Sequence, residues 1–242
     1  MNLSQDALRE LELWPLWQSR CAPPPATISQ TTLEPTVSLP TALHQTQERG
    51  TELASGDWRA LKDEVAKCTI CSLCKQRKQA VFGVGNESAP WLFVGEGPGA
   101  EEDAIGEPFV GQAGKLLDSM MAAIQIQRGR EVYIANVVKC RPPGNRTPTL
   151  AEAAACAPYL DRQIDLISPK LIVALGKTAA TRLLGEEKSL ASMRGKLHSY
   201  RGYPLIITYH PAYLLRNLTD KAKAWEDMVL ARQTMVSLLQ NG

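Results

Sequence analysis

The sequence has no apolar run close to the roughly 20 residues that a membrane-crossing helix needs, so no membrane span is expected. Its opening residues, Met1-Asn2-Leu3-Ser4-Gln5-Asp6, lack the basic segment and apolar core of a secretory signal, and a cytoplasmic protein is expected. In that compartment six cysteines are poor disulfide candidates, and metal or redox chemistry is the better reading. A dominant charge is also missing, because the net charge is only +2. It is unevenly spread, at −3 over residues 1–56 and +5 over residues 57–242. A mildly basic body suits nucleic acid without requiring it. No internal repeat is present. A phosphate loop is absent too: beside Gly111-Gln112-Ala113-Gly114-Lys115, Phe109 stands where the first glycine belongs and Leu116 where Ser or Thr belongs.

What is present is an α/β body behind an appendage. Residues 1–20 carry Leu3, Ala7, Leu8, Leu11 and Trp14 at three- and four-residue steps, the pattern of an amphipathic helix that Pro15 ends or kinks. Residues 21–56 are rich in Pro, Thr, Ser and Gln and read as a disordered linker. The helix is read first as a loosely held tail; Trp14 and Trp17 carry the alternative, docking to a partner protein. From residue 57 to 242, four apolar runs at 91–94, 132–138, 171–175 and 205–208 read as buried strands. Helical patterns at 114–124, 150–167, 177–184 and 221–239 alternate with them. This predicts three layers, with a central four-stranded parallel sheet flanked by helices. Ligands of such sheets sit beyond the C-terminal strand ends. Each run here leads into a polar or glycine-rich segment at that end.

Cys68 and Cys71 form a tight pair before the first strand, Cys140 follows the second strand, and Cys156 lies sixteen positions later in a helix. Four thiolates suit either a zinc ion or an iron–sulfur cluster, and spacing leaves the two open. Cys74 is a fifth candidate, and Cys21 lies in the linker. Isolated buried cysteines are usually inert, but here two loops are able to converge.

Three ordered motifs then become specific. Gly95-Glu96-Gly97-Pro98-Gly99-Ala100-Glu101-Glu102-Asp103 with Gly106-Glu107-Pro108-Phe109-Val110-Gly111 resembles the first active-site motif of family 4 uracil-DNA glycosylases. Asn136 to Arg146 resembles their second, and His210-Pro211-Ala212-Tyr213-Leu214-Leu215-Arg216 their third. Cys68-x2-Cys71 followed by Val81-Phe82-Gly83 is similar to the family's cluster motif. Glu96 favours family 4 over family 5, whose members have an apolar residue there. Gly97 departs from the alanine of many relatives, a change between two small residues.

The resemblance implies a monofunctional enzyme that flips uracil from single- or double-stranded DNA and hydrolyses its N-glycosidic bond. It also implies a structural [4Fe–4S] cluster on Cys68, Cys71, Cys140 and Cys156, with Cys74 a bystander. A monomer is expected. Phe109 offers a stacking face, and the Asn136 amide suits the uracil edge, where cytosine presents the reverse pattern. His210 donates to the developing charge on uracil O2. Glu96 orients water or steadies the cationic sugar, and Glu102 crowds the position of a thymine methyl. Gly95, Gly97, Pro98 and Gly99 let backbone approach the base. Arg141, Arg146 and Arg216 are phosphate candidates. Tyr213, Leu214 and Leu215 are candidates for an apolar wedge. Without the motifs, each has an ordinary reading as a cap, core or surface residue. Rival functions are a non-catalytic nucleic-acid module, a glycosylase of wider base range and an electron carrier.

Overall fold

A computed structural model describes residues 57–240. The helix and linker expected over residues 1–56 lie outside the described residues. Helix α1 (Trp58–Lys67) starts where the Asp57 carboxylate accepts the Ala60 amide at 2.8 Å, an N-cap that meets one orphan donor. A short 3-10 turn, Ser72–Lys75, follows the first cysteine pair. Strands β1 (Val84–Gly85) and β2 (Trp91–Gly95) come next, then helices α2 (Ala100–Ile105) and α3 (Gln112–Ala123). Strand β3 is Val132–Asn136, helix α4 Leu150–Ile167, strand β4 Leu171–Leu175 and helix α5 Lys177–Leu184. A single turn, α6 (Leu190–Met193), precedes β5 (His198–Tyr200) and β6 (Tyr203–Thr208). Another turn, α7 (Pro211–Leu214), and the long α8 (Lys221–Gln240) complete the body.

Among the described residues the sheet has six strands, in the order β1-β3-β2-β4-β6-β5, and is mixed. Its four inner strands pair in parallel, while β1 and β5 add antiparallel edges. The expected four-stranded sheet is therefore corrected to six. Edge strands of two and three residues are too short to show an alternation of period two in the sequence.

Alternation in the inner strands sorts side chains to two cores. Leu92 and Val94 of β2 face Leu61, Val65, Leu160 and Ile164 from α1 and α4. Trp91 and Phe93 face Leu117 and Met121 of α3 and Met228, Ala231 and Met235 of α8. All five β4 residues are 0 % exposed, as a central strand covered on both faces must be. Each large side chain buried there contributes roughly 1.5–3 kcal/mol. Because the inner strands run in parallel, the segments after Gly95, Asn136, Leu175 and Thr208 all leave from one rim.

Candidate active site

That rim encloses a cavity of about 480 Å³, bordered by Glu96, Gly97, Pro98, Gly99, Glu102, Phe109, Asn136, Arg146, His210, Tyr213 and Arg216. Asn136 ends β3 and is 2 % exposed, and its Oδ1 has no partner among the described residues. A buried acceptor left so costs about 1–3 kcal/mol, the mark of an atom that awaits a donor. Its backbone carbonyl accepts from the buried Lys139 ammonium at 2.9 Å. Gly95 ends β2 beside it. A Cβ at Gly95 would lie 2.4 Å from Asn136 Oδ1 and 2.6 Å from Phe109 Cε2 and Cζ, so a side chain here would fill the slot between them.

Phe109 is 7 % exposed, with its backbone at φ +56°, a left-handed conformation that favours glycine. Its ring lies 5.4 Å from the His210 ring at 31°. His210 caps α7, where its Nδ1 accepts the Ala212 amide at 3.2 Å. That bond requires Nδ1 without a proton, so a neutral imidazole carries its proton on Nε2. Burial lowers the His210 pKa to about 4, helped by the Arg216 charge and opposed by Glu102. The imidazole is therefore neutral through the physiological range.

Two carboxylates close the rim. Glu96 accepts a short hydrogen bond from the Thr178 hydroxyl near the start of α5. Glu102 accepts the amides of Gly99 at 3.1 Å, Val110 at 3.0 Å and Gly111 at 3.2 Å. It thus caps α2 and ties that helix to the loop beyond Phe109.

A second cavity is lined by Cys68, Cys71, Cys140 and Cys156, together with Arg77, Lys139 and Tyr159. Arg77 Nη1 donates to Cys140 Sγ at 2.8 Å, and the Lys139 amide donates to Cys156 Sγ at 3.3 Å. Burial raises the thiol pKa values of Cys71 and Cys140, and pushes Cys156 up to about 12. Cys74 instead lines a separate groove. Among the described residues, no three His, Cys, Asp or Glu side chains are grouped to hold a single ion.

The family model described as "Uracil DNA glycosylase superfamily" matches residues 82–230. A type-4 uracil-DNA glycosylase of Thermotoga maritima is 47% identical over 165 residues, 67% of this chain and 85% of the relative. One of Saccharolobus solfataricus is 42% identical over 185 residues, 73% of this chain and 86% of the relative. This chain belongs to the type-4 uracil-DNA glycosylases. A type-5 uracil-DNA glycosylase of Mycobacterium leprae is similar at 33% identity over 185 residues, 64% of this chain and 77% of the relative.

In this type-4 uracil-DNA glycosylase the cavity collects the expected Glu96, Glu102, Phe109, Asn136 and His210 from three separate stretches of chain. Gly95 stands behind the slot. Among the phosphate candidates, Arg146 and Arg216 reach the cavity, but Arg146 is already paired with the Glu152 carboxylate through two bonds of 2.8 Å. Arg141 holds Asn145 Oδ1 at 2.7 Å and is half-buried. Leu214 is corrected: at 1 % exposed it packs with Tyr209 and Ala224, whereas Leu215 is 42 % exposed. Successive residues of the α7 turn point in different directions, so only one of the two leucines faces solvent. Glu102 is fixed by three backbone amides, which makes it a brace of the loop besides a wall of the cavity.

Two residues of the site are new: Thr178, which touches Glu96 from 82 positions away, and Arg128, which grips Phe109 from 19. No local pattern marks either one; each is defined by a contact between distant segments.

Proposed function

We propose that this chain hydrolyses the N-glycosidic bond of uracil in DNA, releasing uracil and leaving an abasic site. The observation that carries the reading is the unpartnered Asn136 Oδ1, buried between Gly95 and the Phe109 ring. A flipped uracil supplies what that slot lacks. Its N3–H donates to Oδ1 while its O4 accepts from the Asn136 amide nitrogen, and its ring stacks on Phe109. Cytosine offers an acceptor at N3 and a donor at N4, so both bonds would be lost.

As the bond between C1′ and N1 breaks, its electron pair goes to uracil, with negative charge shared onto O2. The Nε2–H of neutral His210 is the donor to that oxygen, stabilising charge that grows only in the transition state. With a pKa near 4 the ring donates a hydrogen bond rather than a proton. Glu96, aimed by Thr178, orients the water that adds to C1′ and steadies the cationic sugar. Arg216 and Arg141 contact phosphates, and Leu215 with Tyr213 enters the gap left by the base.

The four cysteines of the second cavity suit a [4Fe–4S] cluster. Four thiols around one cavity match the ligand number of such a cluster, and Arg77 and Lys139 supply positive charge beside an anionic group. Cys68, Cys71, Cys140 and Cys156 would hold it. Held there, the cluster would tie together the segment before β1, the loop after β3 and helix α4, a structural role.

The test is a single-turnover assay on a labelled oligonucleotide carrying one uracil, followed by alkali, with a matched cytosine strand as control. Free uracil and an alkali-labile site are expected from the uracil strand alone. Binding of the oligonucleotide without release of uracil would refute the proposal.

A further inference from the structure

We infer that Arg128 is a positioning residue for base capture, acting through Phe109. The inference rests on Phe109 being the stacking face proposed above. Arg128 lies in the loop between α3 and β3 and is 22 % exposed. Each of its three guanidinium nitrogens donates one hydrogen bond. Nη1 donates to the Pro108 carbonyl at 2.9 Å, Nη2 donates to the Phe109 carbonyl at 2.9 Å, and Nε is fixed by Asp118 Oδ1 of α3 at 2.9 Å.

The two carbonyls belong to the peptide units on either side of Phe109 Cα, and their relative orientation is what φ and ψ of that residue set. Phe109 stands at φ +56°, where a side chain crowds its own backbone and the conformation is unfavourable unless something holds it. A planar fork that meets both oxygens at once does so. A lysine, with one point of charge, cannot reproduce the spacing.

The rest of the loop leaves little freedom. The Phe109 carbonyl passes so close to Gly114 that a Cβ there would lie 1.8 Å from its oxygen. The amides of Val110 and Gly111 are taken by Glu102. The backbone is thus gripped by a cation before the turn and an anion after it, and the ring between them is directed into the slot beside Gly95 and Asn136.

Loss of the fork leaves the fold and the His210 chemistry standing but lets the ring leave its plane. The experiment is a double-mutant cycle between Arg128→Met and Phe109→Ala, in the cluster-loaded protein, with single-turnover rates measured across enzyme concentration. Arg128→Met is expected to raise the half-saturating concentration about 10-fold, within the range that stacking on an aromatic contributes per base, while the maximal rate falls less than about 3-fold. In the Phe109→Ala background the same change is expected to add less than about 2-fold, because the ring it positions is gone. Arg128→Lys, which keeps the charge, is expected to recover only part of the loss, and stands in should the methionine variant not fold.

Additive losses in the cycle, full recovery by lysine, or a fall in maximal rate alone would overturn the inference. The two failures separate cleanly. If Phe109→Ala itself captures uracil as the wild type does, the stacking proposal fails; if it is impaired while the Arg128 variants behave as wild type, only the inference about Arg128 fails.

Discussion

The protonation state of His210 can be tested directly. Its pKa of about 4 arises from burial beside Phe109 and from the Arg216 charge, against an ordinary value of 6.5. A histidine whose pKa is lower in the folded chain binds fewer protons there than in the unfolded one. It therefore lends stability in full above pH 6.5, and that stability is lost as pH falls toward 4. Between pH 8 and 5 the loss amounts to at most about 2 kcal/mol from this group, the smaller figures applying because the cavity mouth admits water. His210→Asn removes the linkage, so the stability lost on going from pH 8 to 5, as unfolding free energy from urea titration, should be greater in the wild type than in the variant by that amount. The chain has three histidines, and imidazole NMR can follow each, with His210 assigned by its disappearance in the variant. Its resonances should stay those of the Nε2–H tautomer down to pH 5. The excision rate of the wild type should be flat from pH 8 to about 5.5, and His210→Asn should lower it roughly 100–1,000-fold. An imidazole that titrates near 6.5, or a rate that climbs as pH falls through 6.5, would mean that the imidazolium acts, and the neutral-donor argument would be wrong.

Gly95→Ala places a methyl 2.4 Å from Asn136 Oδ1 and 2.6 Å from the Phe109 ring, so it should abolish uracil excision and lower the unfolding free energy by about 1–3 kcal/mol, while phosphate-dominated DNA binding changes little; wild-type turnover would show that the base does not enter there. Anaerobically purified protein should be brown and contain iron and sulfide, with alanine at Cys68, Cys71, Cys140 or Cys156 bleaching and destabilising it and Cys74→Ala doing neither. Stoichiometric zinc without iron would refute the cluster. Leu215→Ala should weaken activity on duplex DNA more than on single strands at unchanged stability, whereas Leu214→Ala should cost about 2–5 kcal/mol in unfolding free energy. Equal unfolding curves for the two leucine variants would contradict their different burial.

Much of this molecule is decided within short windows of sequence. Helices α4 and α5 fall where periodicity predicts them, because an amphipathic face repeats every three to four residues. The run Leu171–Leu175 reads as a strand covered on both sides, and it is one. Parallel strands send their following loops to one end, so Glu96, Asn136 and His210 could be assigned to one rim before any coordinates. Other features are set by contacts between segments far apart in the chain, and a window cannot contain them. The edge strands β1 and β5 are strands only because a neighbour pairs with them. Burial separates Leu214 from Leu215 only after α7 packs beside Tyr209 and Ala224. Glu102 reads as a wall of the cavity until the folded loop brings the Val110 and Gly111 amides to it. The pKa of His210 depends on desolvation and on Arg216 across the cavity, and the grip of Arg128 on Phe109 exists only once the α3–β3 loop returns to the rim. The sequence by itself determined which chemical groups stand at the strand ends; the tertiary structure decided their distances, their solvation and their partners, because those energies depend on positions in space and not on separation along the chain.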